Sequence, residues 1–227
     1  MYLFFLIFIL IIIVIIVIVN ICMYKERQNL VLQEGLTNNN NNTTIILIGD
    51  SILNNSNYIL TQGKSVPDLI KAGNNDTLLF AKDHAVITDC YTQIEQIPAT
   101  NDTENTYIFV SAGGNNILNG RSNLSNEMVE SFFQQYSTLL NSLKTNFQNS
   151  QIYLLNLYYP LDSRFTNLYP FIDQWNSLLS EFADNNDLKI IQTNKMIVSK
   201  DDLTNAIEPS ETGGNKIANA ILDISKS

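Results

Sequence analysis

The sequence predicts an α/β domain, a three-layer α/β/α sandwich on a parallel sheet of about five strands, preceded by one N-terminal transmembrane helix. Short apolar runs alternate with longer amphipathic segments from residue 44 to the end of the chain, which is the pattern of a parallel sheet covered by helices. Polar clusters follow several of the apolar runs, and the first two dozen residues are almost wholly apolar.

The chain opens with the apolar stretch MYLFFLIFILIIIVIIVIVNICMY. A helix of about 22 apolar residues is roughly 33 Å long, enough to cross the hydrocarbon core of a bilayer. No basic residue precedes the stretch, and Asn20-Ile21-Cys22 is not a small-residue cleavage site, so an uncleaved anchor is favoured over a signal peptide. We predict an anchor over residues 1–24 and a single-pass membrane protein.

The flanking residues leave the orientation in the membrane open. Lys25 and Arg27 follow the apolar stretch and favour a domain on the cytoplasmic side. Several N-x-Ser/Thr sequons would favour a secretory lumen, although such sequons arise by chance in a chain this rich in asparagine.

Residues 25–42 are polar and include the low-complexity tract TNNNNNTT. Such a tract buries too little apolar surface to fold, so we predict a linker there and a single folded domain over residues 43–227.

Within this domain the apolar periodicity predicts strands and helices in alternation. Met128, Phe132, Tyr136, Leu139 and Leu143 recur at helical spacing, which indicates a helix with a buried face. By the same reasoning we predict strands at residues 44–48, 77–81, 107–111, 152–157 and 188–192, and helices at 86–97, 124–147, 169–185 and 215–225.

Charge and cysteine content exclude several classes of function. The net charge is -9 and the positive residues are scattered, so there is no basic surface for nucleic acid. Cys22 lies in the predicted anchor and Cys90 in the domain, so neither a disulfide nor a cysteine metal site can form within the domain. We expect no metal and no organic cofactor.

Polar clusters follow the first three predicted strands, and a fourth precedes the last helix. Because ligands bind beyond the carboxyl ends of parallel strands, we expect these clusters to meet at one edge of the sheet. They are Gly49-Asp50-Ser51, Lys82-Asp83-His84, Gly113-Gly114-Asn115-Asn116 and the stretch NAIEPS at residues 205–210.

The order and spacing of these clusters resemble the SGNH (GDSL-type) hydrolase family over residues 43–227. The resemblance implies a flavodoxin-like fold, a nucleophile at Ser51 of the GDS motif, and an oxyanion donor at Asn115 of GGNN. Asp50 and Gly114 would support these two residues.

The chain departs from the family at two blocks. Where the family has a glycine in its second block, this chain has His84. Where the family has Asp-x-x-His-Pro, this chain has Asn205 and Glu208. The oxyanion donors remain, namely the backbone N–H groups of Ser51 and His84 and the Asn115 amide, but the base has changed.

Three interpretations of the base stay open. Glu208 could itself accept the proton of Ser51, with burial raising its pKa. Alternatively, His84, the one histidine of the chain, could act as base with Glu208 as its carboxylate partner. In the third interpretation the site is inactive, because loss of the histidine from a serine triad lowers the rate by about 10⁶.

Two functions follow from the resemblance. The first is a membrane-anchored serine esterase that hydrolyses carbohydrate O-acetyl groups or lipid esters. The second is a catalytically inactive module that binds a glycan, an acyl ligand or a protein at a membrane.

Overall fold

The computed structural model describes residues 43–226. The predicted anchor at residues 1–24 and the predicted linker at 25–42 lie outside the described residues. None of the helices between residues 43 and 226 has both the length and the apolar character to cross a membrane.

A parallel sheet of five strands forms the centre of the domain, as predicted, in the order β2-β1-β3-β4-β5. The central strand pair is in continuous register, from Thr44 opposite Thr106 to Gly49 opposite Ser111. The strands are β1 (Thr44–Gly49), β2 (Thr77–Leu79), β3 (Thr106–Ser111), β4 (Gln151–Leu155) and β5 (Lys189–Ile191).

The central strands are apolar on both faces because helices cover both faces of the sheet. Ile45, Ile46, Leu47 and Ile48 of β1 are each fully buried, which explains why this run shows no alternation of polar and apolar residues. The seven helices of residues 43–226 are α1 (Val66–Gly73), α2 (Ile87–Glu95), α3 (Gly114–Gly120), α4 (Asn126–Asn146), α5 (Tyr169–Asn186), α6 (Thr193–Met196) and α7 (Glu211–Ile224).

The longer helices form two layers. Helix α1 packs against α7, whereas α4 packs against both α2 and α5. A short antiparallel pair, β6 (Leu203–Thr204) and β7 (Glu208–Pro209), precedes α7.

Three helices, α1, α3 and the four-residue α6, were not predicted, and α7 begins earlier than predicted. Helix α1 was not predicted, although Ser65 caps it through the Asp68 amide and a proline lies in its first turn. Helix α3 was not predicted because its sequence, GNNILNG, is polar and glycine-rich. Helix α7 begins at Glu211 rather than at residue 215, because the Ser210 hydroxyl accepts from the amides that follow it.

The strand order creates a crevice at the carboxyl ends of β1 and β3. From β1 the chain crosses to β2 on one side, and it later continues from β3 to β4 on the other side. Open α/β sheets bind ligands at such a switch point. Ser51 follows β1 and Asn115 follows β3, so both lie at this crevice.

Candidate active site

Strand β1 ends at Gly49, a position that only glycine can occupy without strain. The φ of Gly49 is 129°, and an added Cβ would lie 1.7 Å from the carbonyl oxygen of Ser111. The buried side chain of Gln93 accepts from the Gly49 amide at 2.6 Å and donates to the Gly49 carbonyl at 2.9 Å. These contacts hold the strand end immediately before Ser51.

Ser51 lies in a tight turn directly after β1. The amides of Leu53 and Asn54 both donate to the Asp50 carbonyl oxygen at 3.1 Å, and Ser51 is only 6 % exposed. Its hydroxyl lies close enough to the Glu208 carboxylate to lower the pKa of that carboxyl, and both side chains line the same pocket. The nucleophile predicted from the GDS motif therefore has a carboxylate partner.

Glu208 lies on β7 and is 6 % exposed. Burial raises the pKa of this carboxyl, the hydrogen bond from Ser51 lowers it, the charge of Asp83 raises it and that of His84 lowers it. Its Oε2 is buried and has no hydrogen-bond partner among residues 43–226. A carboxylate with a raised pKa and a free oxygen is a stronger proton acceptor than an exposed glutamate.

Asp50 lies beneath the nucleophile turn and is 2 % exposed. Its Oδ1 accepts from the Ile52 amide at 3.1 Å and from the Ser111 hydroxyl at 2.9 Å. Desolvation raises the pKa of Asp50 to about 7 against the effect of these hydrogen bonds, and the charge of Glu208 adds to the increase. The predicted supporting residue thus links the turn to β3.

Asn115 lies in the first turn of α3, after Gly113, whose φ is 101°. Its Nδ2 donates to the Ala85 carbonyl oxygen at 2.9 Å. This bond ties the loop that carries the His84 amide to the start of α3. An amide nitrogen carries two hydrogens, so Asn115 retains a second donor.

His84 has the left-handed conformation that its position requires, with a φ of 60°. A side chain in this conformation costs about 1 kcal/mol relative to glycine. Its side chain is 79 % exposed and places Nε2 3.6 Å from Asp83 Oδ2. Within the described chain it forms no hydrogen bond with Ser51 or Glu208.

Asn205 lies in the turn between β6 and β7, exposed and with a φ of 48°. It does not line the pocket that contains Ser51. The structure therefore brings Glu208 to Ser51 but leaves Asn205 outside the pocket.

One pocket of about 60 Å³ contains most of the predicted site residues. By the usual measure this volume holds about four water-sized groups. Asp50, Ser51, Gly114, Asn115 and Glu208 line it together with Tyr158 and with the apolar side chains of Ile52, Ile117, Leu118, Leu157, Pro160, Leu168, Ile172 and Ile207.

Three residues that position this site were not among the predicted site residues. Asn55, fully buried, accepts from the Val66 amide and donates to the Pro209 carbonyl, next to Glu208. The Tyr158 hydroxyl donates to the Ile207 carbonyl at 2.6 Å. Gln93 holds Gly49 as described above. Because each acts through a long-range contact with backbone, no local motif identifies them.

Solved structures with the same architecture include a lipolytic G-D-S-L family member from Veillonella parvula, with 18 % identity and a TM-score of 0.61, covering 80 % of this chain and 97 % of that one. Phospholipase A1 from Streptomyces albidoflavus has 15 % identity and a TM-score of 0.59, with 81 % and 99 % covered. An acetyl xylan esterase has 13 % identity and a TM-score of 0.61, with 80 % and 98 % covered.

The domain has the GDSL-type hydrolase fold. No protein-family model and no curated protein matches the chain by sequence. Identities this low establish the GDSL-type fold alone. The assignment of roles to Ser51, Asn115, His84 and Glu208 stays a prediction from the motifs and their geometry.

Proposed function

We propose that the domain is a GDSL-type serine ester hydrolase in which Glu208 takes the proton of Ser51. The observation that carries this proposal is that the Ser51 hydroxyl is close enough to the Glu208 carboxylate to lower its pKa, in a pocket that both residues line together with Asn115. Nucleophile, base and oxyanion donor are the three groups that acyl transfer needs.

The reaction follows from these positions. The Ser51 oxygen attacks the ester carbonyl while its proton passes to Glu208. The carbonyl oxygen becomes an oxyanion, which the Asn115 amide and the backbone N–H groups of Ser51 and His84 are proposed to stabilise. Glu208 returns the proton to the leaving alcohol, and water then releases the acyl group by the reverse sequence of proton transfers.

The pocket favours short acyl groups. Its volume of about 60 Å³ holds about four heavy atoms, and apolar side chains form much of its lining. Esters from acetyl to butyryl suit this space. Neighbours in the same fold include a phospholipase A1 and an acetyl xylan esterase. Carbohydrate O-acetyl groups fit the pocket as proposed substrates, whereas a lipid ester would have to extend its longer acyl chain beyond it.

We further propose that the predicted segment at residues 1–24 tethers the hydrolase to a membrane. The proposal rests on the length and apolar character of that segment in the sequence.

The alternative is an inactive module that binds an acyl or glycan ligand, or a protein, at a membrane. The observation that favours it is that the one histidine of the chain lies outside the pocket, exposed to solvent. A carboxylate is a weaker base than imidazole by about two pKa units before burial is considered.

The decisive test measures hydrolysis of 4-nitrophenyl acetate and butyrate by the full chain and its variants. We expect Ser51→Ala to abolish turnover, Glu208→Gln to lower it by about 10² or more, and His84→Ala to retain most of it. Loss with His84→Ala as large as with Glu208→Gln would indicate that His84 is the base and Glu208 its carboxylate partner. No Ser51-dependent turnover in a folded protein would indicate the inactive module.

A further inference from the structure

Two buried carboxyl groups share the pocket of Ser51. Asp50 is 2 % exposed and Glu208 is 6 % exposed, and both line the same space. The mechanism proposed above uses Glu208 and leaves Asp50 without a chemical role.

The two oxygens of Asp50 have different surroundings. Oδ1 accepts hydrogen bonds from the Ile52 amide and the Ser111 hydroxyl. Oδ2 lies on the side of Gly114, where an added Cβ would be 3.8 Å away. Since Gly114 also lines the pocket, Oδ2 lies on the Gly114 side of the carboxyl, towards the pocket.

Simultaneous ionisation of the two carboxyls is unfavourable in so small an apolar space. Burial and the charge of Asp83 raise the pKa of Glu208, but the Ser51 hydroxyl and the charge of His84 stabilise its anion. Asp50 has neutral donors only, and burial together with Glu208 raises its pKa to about 7. The proton therefore belongs on Asp50 and the negative charge on Glu208.

The other titratable groups that face Asp50 do not alter this assignment. Burial raises the pKa of Cys90 on α2 to about 12, and burial raises the pKa of Tyr136 on α4 and of Tyr158 after β4 well above the usual range. All three are uncharged at neutral pH, so Glu208 on β7 is the charged group that Asp50 experiences.

We propose that Asp50 is held as a neutral carboxylic acid beside Ser51, that its Oδ2 hydrogen is donated into the pocket, and that its ionisation stops ester hydrolysis. This proposal rests on the proposed function. Ionised Asp50 would replace a donor by an acceptor and would place a second negative charge beside the oxyanion that forms when Ser51 attacks. The rate should therefore fall as pH rises, whereas a serine hydrolase with a histidine base gains activity as that histidine loses its proton.

The pH dependence of kcat/KM for 4-nitrophenyl butyrate tests the switch, with Ser51→Ala as the blank at each pH. We expect the rate of the full chain to fall about tenfold per pH unit above about pH 7. Asp50→Asn keeps a hydrogen-bond donor that cannot ionise, so its rate should not decline above about pH 7. At about pH 5 this variant should keep a rate within about tenfold of that of the unmodified chain, while Asp50→Ala should lose activity at every pH. An unchanged decline in Asp50→Asn would overturn the proposal.

A second measurement separates this proposal from the proposed function. The full chain, carrying Ser51→Ala and ¹³C-labelled aspartate, is titrated by carboxyl NMR, and Asp50→Asn assigns the signal. Titration near pH 7 supports the neutral acid, and titration below about pH 5 overturns it. Absence of Ser51-dependent hydrolysis at every pH overturns the proposed function, and the NMR titration then decides by itself whether Asp50 is neutral.

Discussion

Gln93 of α2 satisfies both backbone groups of Gly49, the last residue of β1, through hydrogen bonds of 2.6 and 2.9 Å. The side chain is 1 % exposed, so a helix on one face of the sheet fixes the strand end that precedes Ser51. These hydrogen bonds explain why a polar residue, Gln93, lies on the buried face of the amphipathic helix α2.

Replacement of Gln93 by methionine should therefore destabilise the domain. Methionine has a side-chain volume similar to that of glutamine but leaves the Gly49 amide unpaired in the core, which should lower the free energy of unfolding by about 2 to 3 kcal/mol. Urea unfolding measures the loss. Gln96→Met, at an exposed position of the same segment, is the control, and an equal effect of the two changes would contradict the importance of the Gly49 contact.

Gly49→Ala should destabilise the domain by more than about 3 kcal/mol. The new methyl would overlap the Ser111 carbonyl at 1.7 Å and would also occupy a left-handed φ of 129°. Gly63→Ala is the matched control, because Gly63 has a φ of 78° but open space around it. The control should lose only about 1 kcal/mol from backbone strain. Similar unfolding midpoints for the two variants would show that β1 and β3 can separate.

His84→Gly should stabilise the domain, whereas His84→Ala should not. Both remove a side chain that is 79 % exposed, but only glycine relieves the strain at a φ of 60°, by about 1 kcal/mol. Thermal unfolding of the two variants isolates the backbone effect. Equal stability of the alanine and glycine variants would be inconsistent with a left-handed His84.

Glu208→Gln should lower ester hydrolysis far more than Glu211→Gln. Glu208 lines the pocket beside Ser51, whose hydroxyl lowers its pKa, whereas Glu211 is exposed in the first turn of α7. We expect a loss of about 10² or more in kcat for the first change, and less than twofold for the second. Comparable rates for the two variants would exclude Glu208 as the base.

The contribution of Asp50 to stability should fall as pH rises, because burial raises the pKa of folded Asp50 from 3.8 to about 7. The folded state then binds the proton more tightly than the unfolded state, so the stabilisation is complete below about pH 4 and is lost by about pH 7. The difference amounts to about 4 kcal/mol. Urea unfolding of the full chain and of Asp50→Asn across this range measures it. A difference between the two proteins that does not change with pH would contradict the raised pKa.

The sheet was predictable from sequence because its strands are buried on both faces and therefore appear as continuous apolar runs. The run at residues 45–48 is followed at once by Gly49-Asp50-Ser51, and β1 ends there in the structure. Helix α4 was predictable for a different reason, because its apolar residues recur at helical spacing over about six turns. Helices α1, α3 and α6 were not predicted, because a short helix is stabilised by caps and tertiary packing more than by its own periodicity.

Prediction of the site depended on motifs. The motifs showed which residues follow the strand ends, but they did not show which side chains contact one another there. Ser51 and Asn115 were placed at one crevice by the order of the strands. The motifs did not show that Glu208 lies beside Ser51, that His84 points outward or that Asn205 lies outside the pocket. These positions depend on how the β6–β7 turn packs, where Asn55 donates to the Pro209 carbonyl and Tyr158 to the Ile207 carbonyl. Those contacts join residues far apart in the chain.

The sequence by itself determined the alternation of strands and helices and the position of the nucleophile turn, because burial periodicity and turn chemistry are local properties of the chain. Only the tertiary structure decided which carboxyl faces Ser51 and how Asp50 is buried beneath it. Desolvation and hydrogen bonding depend on every element that surrounds a group, and these elements meet only once the sheet and its two helical layers have assembled.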